Sequence, residues 1–131
     1  MASADSNLLV RLLTNDDPEQ AAAVLRLLDR LDAEGETLFV PLTVSLEVEW
    51  VLRSCYGFSK ASVIGGLSNL LDTRELVFQD EAVLEQALAL YREHSADFAE
   101  CLHVSATLRY QREPFLSFDR TAARLPGAAL L

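Results

Sequence analysis

The chain has 131 residues, half of them hydrophobic, with 20 acidic against 11 basic residues and a net charge of −9. This is enough apolar content for one packed domain and excludes a disordered chain, and the acidic balance excludes a protein that grips nucleic acid through a broad basic surface. No apolar run approaches the roughly 20 residues that span a bilayer, and the N-terminus lacks the basic stretch and apolar segment of a signal peptide, so we expect a cytoplasmic protein with no membrane partner and with Cys55 and Cys101 as reduced thiols.

No repeat, linker or low-complexity tract interrupts the sequence, and residues 1–131 are expected to form a single domain. Residues 2–4 form a weak strand, followed by a helix from Ser6 to about Thr14. Asp16-Asp17-Pro18-Glu19 starts a second helix, with an Asp cap and Pro in its first turn. It runs to about Ala33 and leaves through Gly35. Thr37 to Val40 is a short strand ended by Pro41, and residues 43–54 have helical periodicity. Ser59 caps a helix to about Leu71, loosened by Gly65-Gly66. Glu75 to Phe78 is a strand, Asp80 caps a helix to about Glu93, and another helix covers about 98–111. Pro114 precedes a strand at Phe115 to Ser117. A short helix follows Asp119, and Ala128 to Leu131 make a last edge strand.

Short strands alternating with longer helices indicate an α/β domain with a mainly parallel sheet. Ligands of such sheets sit beyond the carboxyl ends of the strands. Asp5 and Asp119 both occupy such positions, where each is either a helix cap or a ligand. At about 100° per residue, Glu47 shares a helix face with Val44, Trp50 and Val51. A carboxylate on an apolar stripe must be paired, protonated or bound to metal, which gives Glu47 a functional or paired role. Glu49 falls nearly opposite, on the expected solvated face, in register for an ion pair with Arg53 one turn later. Asp97 and Glu100 are either a pair of metal ligands or a capping box, with Asp97 as the cap and Glu100 at the third helical position. Glu100, His103, Thr107 and Gln111 make a polar stripe that faces a cleft or water. Two histidines are too few for a histidine-rich zinc site. Neither G-x-x-x-x-G-K-[ST] nor G-x-S-x-G occurs.

Four segments then come in order: Asp5-Ser6-Asn7-Leu8-Leu9, Leu46-Glu47-Val48-Glu49-Trp50-Val51-Leu52-Arg53, Ala96-Asp97-Phe98-Ala99-Glu100, and Ser117-Phe118-Asp119. In order and spacing they resemble the PIN-domain nucleases, specifically the VapC-like toxins of type II toxin–antitoxin systems. The likeness covers nearly the whole chain. It implies a PIN-like three-layer α/β/α domain with a short, mainly parallel central sheet. It also implies a site in which Asp5, Glu47, Glu100 and Asp119 are the catalytic, metal-holding acids, with Asp97 and Asn7 auxiliary. Glu100 departs from the usual Asp of the family, which lengthens that side chain by one methylene.

The resemblance implies a metal-dependent endoribonuclease that hydrolyses RNA phosphodiester bonds. Hard oxygen ligands favour Mg²⁺ or Mn²⁺ over Zn²⁺. It further implies an RNA substrate, a cognate VapB-like antitoxin that neutralises the activity, and a homodimer. Two other readings compete: a PIN-domain RNA-processing nuclease without an antitoxin, and a catalytically weak PIN-like binding module.

Overall fold

The computed structural model describes every residue, 1–131. The chain gathers into two compact units, Met1–Gln79 and Asp80–Leu131.

In the first unit, β1 (Ala2–Ser3), β2 (Leu38–Val40) and β3 (Leu76–Phe78) form a parallel sheet in the order β1-β2-β3. Ala2 pairs with Leu38, and Leu38 with Leu76. Two strands that run the same way cannot be joined by a tight turn, so helices make the crossovers. α1 (Ser6–Leu13) and α2 (Pro18–Glu34) lead from β1 to β2, and α3 (Leu42–Ser54) and α4 (Lys60–Leu71) lead from β2 to β3. The termini follow the local chemistry. Asp17 accepts the Gln20 N–H at 3.0 Å, with Pro18 in the first position of α2. Gly35 adopts φ +67°, a left-handed turn that lets its N–H close onto the carbonyls of Leu31 and Asp32. Ser59 accepts the Ser62 N–H at 3.1 Å at the start of α4. Leu9, Val10, Val40, Val48, Leu52, Val63 and Leu67 are buried almost completely.

α4 runs unbroken through Gly65-Gly66, where a loosened helix was expected. A Cβ on Gly66 would lie 3.2 Å from Leu13 Cδ1. The missing side chain therefore lets the end of α1 approach α4, and packing offsets the low helix propensity of glycine.

A polar clasp ties the end of α1 to the link before α2 and to the turn after α3. Tyr56 O–H donates to Asp16 Oδ2 at 2.6 Å, and Arg11 Nη1 donates to Tyr56 Oη at 3.1 Å. Arg11 also donates through Nε to Gln20 Oε1 at 2.7 Å and pairs with Asp16 at 3.4 Å. The Tyr56 hydrogen bond, helped by the Thr14 hydroxyl and the Arg11 charge, holds the Asp16 carboxyl below its ordinary value. A depressed folded-state pKa contributes stability that is present above the unfolded carboxylate value and is lost as pH falls through the folded one. Tyr56→Phe is therefore expected to lower stability at neutral pH and to narrow the stability difference between neutral pH and pH below about 4. Denaturant melts at both pH values check this; an unchanged acid dependence in the variant contradicts it.

In the second unit, α5 (Glu81–Glu93) packs against α6 (Phe98–Arg109). The rings of Tyr91 and Phe98 lie 5.5 Å apart, and the Ser105 hydroxyl donates to the Val83 carbonyl at 2.6 Å. β4 (Phe115–Ser117) and β5 (Ala128–Leu130) pair in parallel, with a short 3-10 turn at Ala122–Arg124 between them. Leu84, Phe98, Cys101, Val104 and Leu125 are buried. Asp80 was expected to cap α5. It holds the cap position, but its backbone is left-handed (φ +52°) and its carboxylate makes no capping hydrogen bond. A capping side chain reaches the first amides of a helix from extended backbone, which Asp80 does not have.

All strand pairs are parallel, as the alternation of elements led us to expect. They form two ladders, of three strands and of two. β1 is the short one: Ala-Ser-Ala offers little surface to bury, and its ladder reaches only β2. Cys55 is exposed and Cys101 is buried, and neither is in a disulfide. No helix is long and apolar enough to cross a membrane.

Candidate active site

In the first unit, Asp5 follows β1 after one residue, Ala4, whose N–H donates to the Phe39 carbonyl at 2.8 Å. This bond holds the chain in line with the sheet up to the turn into α1. Asp5 is the N-cap of α1, and its Oδ1 accepts the Ser6 N–H at 2.7 Å. Oδ2 makes no hydrogen bond, and the residue is exposed. Asn7 is exposed in the first turn of α1. Its side chain lines a cavity of about 350 Å³ with Leu8, Arg11, Val24 and Leu27. None of the candidate acids lines that cavity.

Glu47 lies in the second turn of α3, beyond the carboxyl end of β2. β1 and β2 are adjacent and parallel, so Asp5 and Glu47 both follow strand ends on the same edge of the sheet. Glu47 is exposed and makes no ion pair or side-chain hydrogen bond. The expected faces of α3 are reversed: Glu47, placed by its spacing on an apolar stripe with Val44, Trp50 and Val51, is exposed together with Trp50, so its functional role no longer follows from burial. Ser45, Val48, Glu49 and Leu52 form its buried stripe, and Glu49 is only 2% exposed. The pairing itself was correctly foreseen: Arg53 Nε meets Glu49 Oε2 at 2.8 Å. What failed was the inference that a paired carboxylate faces water. The spacing 45, 48, 49, 52 is as good a helical stripe as the one through Trp50, and it is the one that turns inward. Trp50 is left 54% exposed.

This contrast is measurable. Glu49→Ala is expected to destabilise the fold by about 2 kcal/mol, the loss of a buried charge-assisted hydrogen bond. Glu47→Ala, at an exposed position, is expected to stay within about 0.5 kcal/mol of the parent. Urea melts of the two variants check this, and a larger loss in Glu47→Ala than in Glu49→Ala would restore the original face assignment.

In the second unit, Asp97 is the N-cap of α6, and its Oδ1 accepts the Glu100 N–H at 2.9 Å. That is half of a capping box. The reciprocal half, from the Asp97 N–H to the Glu100 carboxylate, is not made. Instead, Glu100 Oε2 is buried with no hydrogen-bond partner. Capping thus accounts for Asp97 and leaves the Glu100 carboxylate unexplained. A buried carboxylate oxygen without a donor is costly in a folded protein.

Asp119 lies just beyond β4 and is exposed; its Oδ1 accepts the N–H groups of Thr121 and Ala122 at 2.8 and 3.2 Å. The Ser117 hydroxyl accepts the Asp119 N–H at 3.0 Å, fixing the turn that presents it. His103, one turn beyond Glu100, is exposed and stacks obliquely on Phe115, with ring centroids 5.8 Å apart.

Asp5, Asp97 and Asp119 therefore share one arrangement: one carboxylate oxygen holds a backbone N–H, and the other makes no hydrogen bond. Within neither unit are three His, Cys, Asp or Glu side chains gathered closely enough to hold a metal ion. The fit to a hard divalent cation rests on the donor chemistry, which is all carboxylate, and on the orphaned Glu100 Oε2.

A family model for the PIN domain matches residues 4–128, a span that includes Asp5, Glu47, Asp97, Glu100 and Asp119. A VapC ribonuclease of Aquifex aeolicus (strain VF5) is 22% identical over 125 residues, covering 95% of this chain and 92% of the relative. The βα crossovers, the parallel pairing and the family match lead to one assignment: the chain belongs to the PIN domain family.

Proposed function

We propose that this protein is a VapC-like toxin, an endoribonuclease that requires Mg²⁺ or Mn²⁺ and is neutralised by a cognate VapB-like antitoxin. The observation that carries the metal requirement is Glu100 Oε2, a buried carboxylate oxygen with no donor. The VapC ribonuclease relative supports RNA as the substrate.

In this reading Asp5, Glu47, Glu100 and Asp119 hold the cation. When bound, it supplies charge neutralisation on the scissile phosphate and activation of the attacking water. The chain's own groups do the rest. Asp5, Asp97 and Asp119 each anchor one oxygen on backbone N–H, which keeps their second oxygen at a fixed bearing. Asp97 also fixes the first turn of α6, and with it the Glu100 backbone. Glu47, exposed and without a protein partner, is suited to orient water. The net charge of −9 suits a basic antitoxin segment, and the homodimer in this reading rests on the likeness to VapC-like toxins alone.

A second reading has its own support. Three of the acids serve as caps, a role that a PIN-like binding module without catalysis would also give them. RNA cleavage by the purified chain separates the two. The nuclease reading requires cleavage in Mn²⁺ that stops with EDTA and returns when Mn²⁺ is restored. Binding to RNA or to a protein with no cleavage under any divalent metal favours the module.

A further inference from the structure

We propose that Trp50 is a stacking platform for one base of single-stranded RNA and sets the position of the substrate strand beside Glu47. The inference rests on the nuclease reading above and adds to it a contact that the four acids do not supply. Trp50 is the chain's single tryptophan and is 54% exposed. It lies three residues after Glu47 on α3, so the two side chains are neighbours on the helix surface. Thr43, Glu47, Trp50 and Ser54 follow helical spacing, and all four are exposed. A flat indole three residues from a carboxylate assigned to the cation and its water would put one base of the strand beside the phosphate that the cation engages.

The chain's charge does not supply this contact. A net charge of −9 leaves little attraction for a phosphate backbone. Stacking does not depend on charge, and every base has a π-face. The alternative occupant of this face is a second copy of the chain. A stable interface buries about 800 Å² per partner around an apolar centre. The exposed face of α3 offers one large apolar side chain among Thr43, Glu47 and Ser54, which suits a single planar group better than a dimer core.

The test uses the fluorescence of Trp50 itself. A short single-stranded oligoribonucleotide is rapidly mixed in Mg²⁺ with the wild type, and the emission is read before turnover. RNA is expected to quench the emission and to shield it from acrylamide. In the cleaving protein, Trp50→Leu is expected to raise KM about tenfold with kcat within about twofold, the order one base–aromatic stack is worth. Trp50→Phe is expected to recover most of that loss. Labelled-RNA anisotropy gives the same comparison as Kd and does not need activity. Three results overturn the proposal: no quenching on RNA binding, an unchanged KM and Kd in Trp50→Leu, or emission that shifts with protein concentration alone, which would assign the face to a second copy. If the wild type quenches and loses affinity on Trp50→Leu but cleaves nothing, the platform stands and the nuclease reading falls.

Discussion

Asp5→Asn is expected to lower RNA cleavage by about a hundredfold or more, roughly 2.7 kcal/mol of transition-state stabilisation, with little change in stability. The choice of Asn separates two roles of one side chain. Asp5 Oδ1 accepts the Ser6 N–H at 2.7 Å and caps α1. An amide oxygen can accept that bond, and Asn caps about as well as Asp. What Asn removes is the charge, and with it a hard anionic ligand. Alanine would remove both at once and confound capping with catalysis. The same logic makes Asp119→Asn a matched test, since Asp119 Oδ1 holds the N–H groups of Thr121 and Ala122. Cleavage assays alongside thermal melts check the pair. Full activity in a folded Asp5→Asn variant would remove this residue from the site.

Phe98→Ala is expected to have the largest effect on stability, about 4 kcal/mol, because it empties a fully enclosed space. Phe98 is 0% exposed, and Tyr91 stacks on it at 5.5 Å. In a domain of this length that loss lowers the melting temperature by roughly 15 °C. Phe98 is also the first residue of α6, between Asp97 and Glu100. A loosened first turn would displace both acids, so activity is expected to fall along with stability. Phe98→Leu refills most of the volume and is expected to recover most of both. Calorimetric melts of the two variants check this, and a Phe98→Ala protein that melts with the parent would mean that α6 is anchored elsewhere.

The element pattern was largely legible because it depends on local chemistry. Asp17-Pro18, Gly35, Ser59 and Asp97 each mark a helix end by a bond that the residue makes with its own segment. Pro114 and the apolar run after it marked β4 to the residue. What was not legible depends on packing. Gly66 reads as a helix weakener until Leu13 is seen against it. Glu49 reads as a solvated partner of Arg53 until the stripe through Ser45, Val48 and Leu52 turns inward. Two apolar stripes on one helix cannot be ranked without knowing what packs against each.

The acids divide in the same way. Their positions after strand ends and at helix starts followed from the sequence, and the PIN resemblance singled out which ones matter. The sequence left Asp97 and Glu100 open between capping and ligation. The structure gives Asp97 the cap and leaves the Glu100 carboxylate without a donor. That oxygen is buried by its surroundings, which no motif encodes.

The most direct test of the central claim is a calorimetric titration of Mg²⁺ and Mn²⁺ into the wild type and Asp5→Asn, with RNA cleavage assayed on the same samples. The account predicts that the wild type binds metal and cleaves, and that both are lost or strongly weakened in a variant that melts like its parent. No metal binding by the folded wild type would contradict it, and the carboxylates would then be caps on a PIN-like binding module.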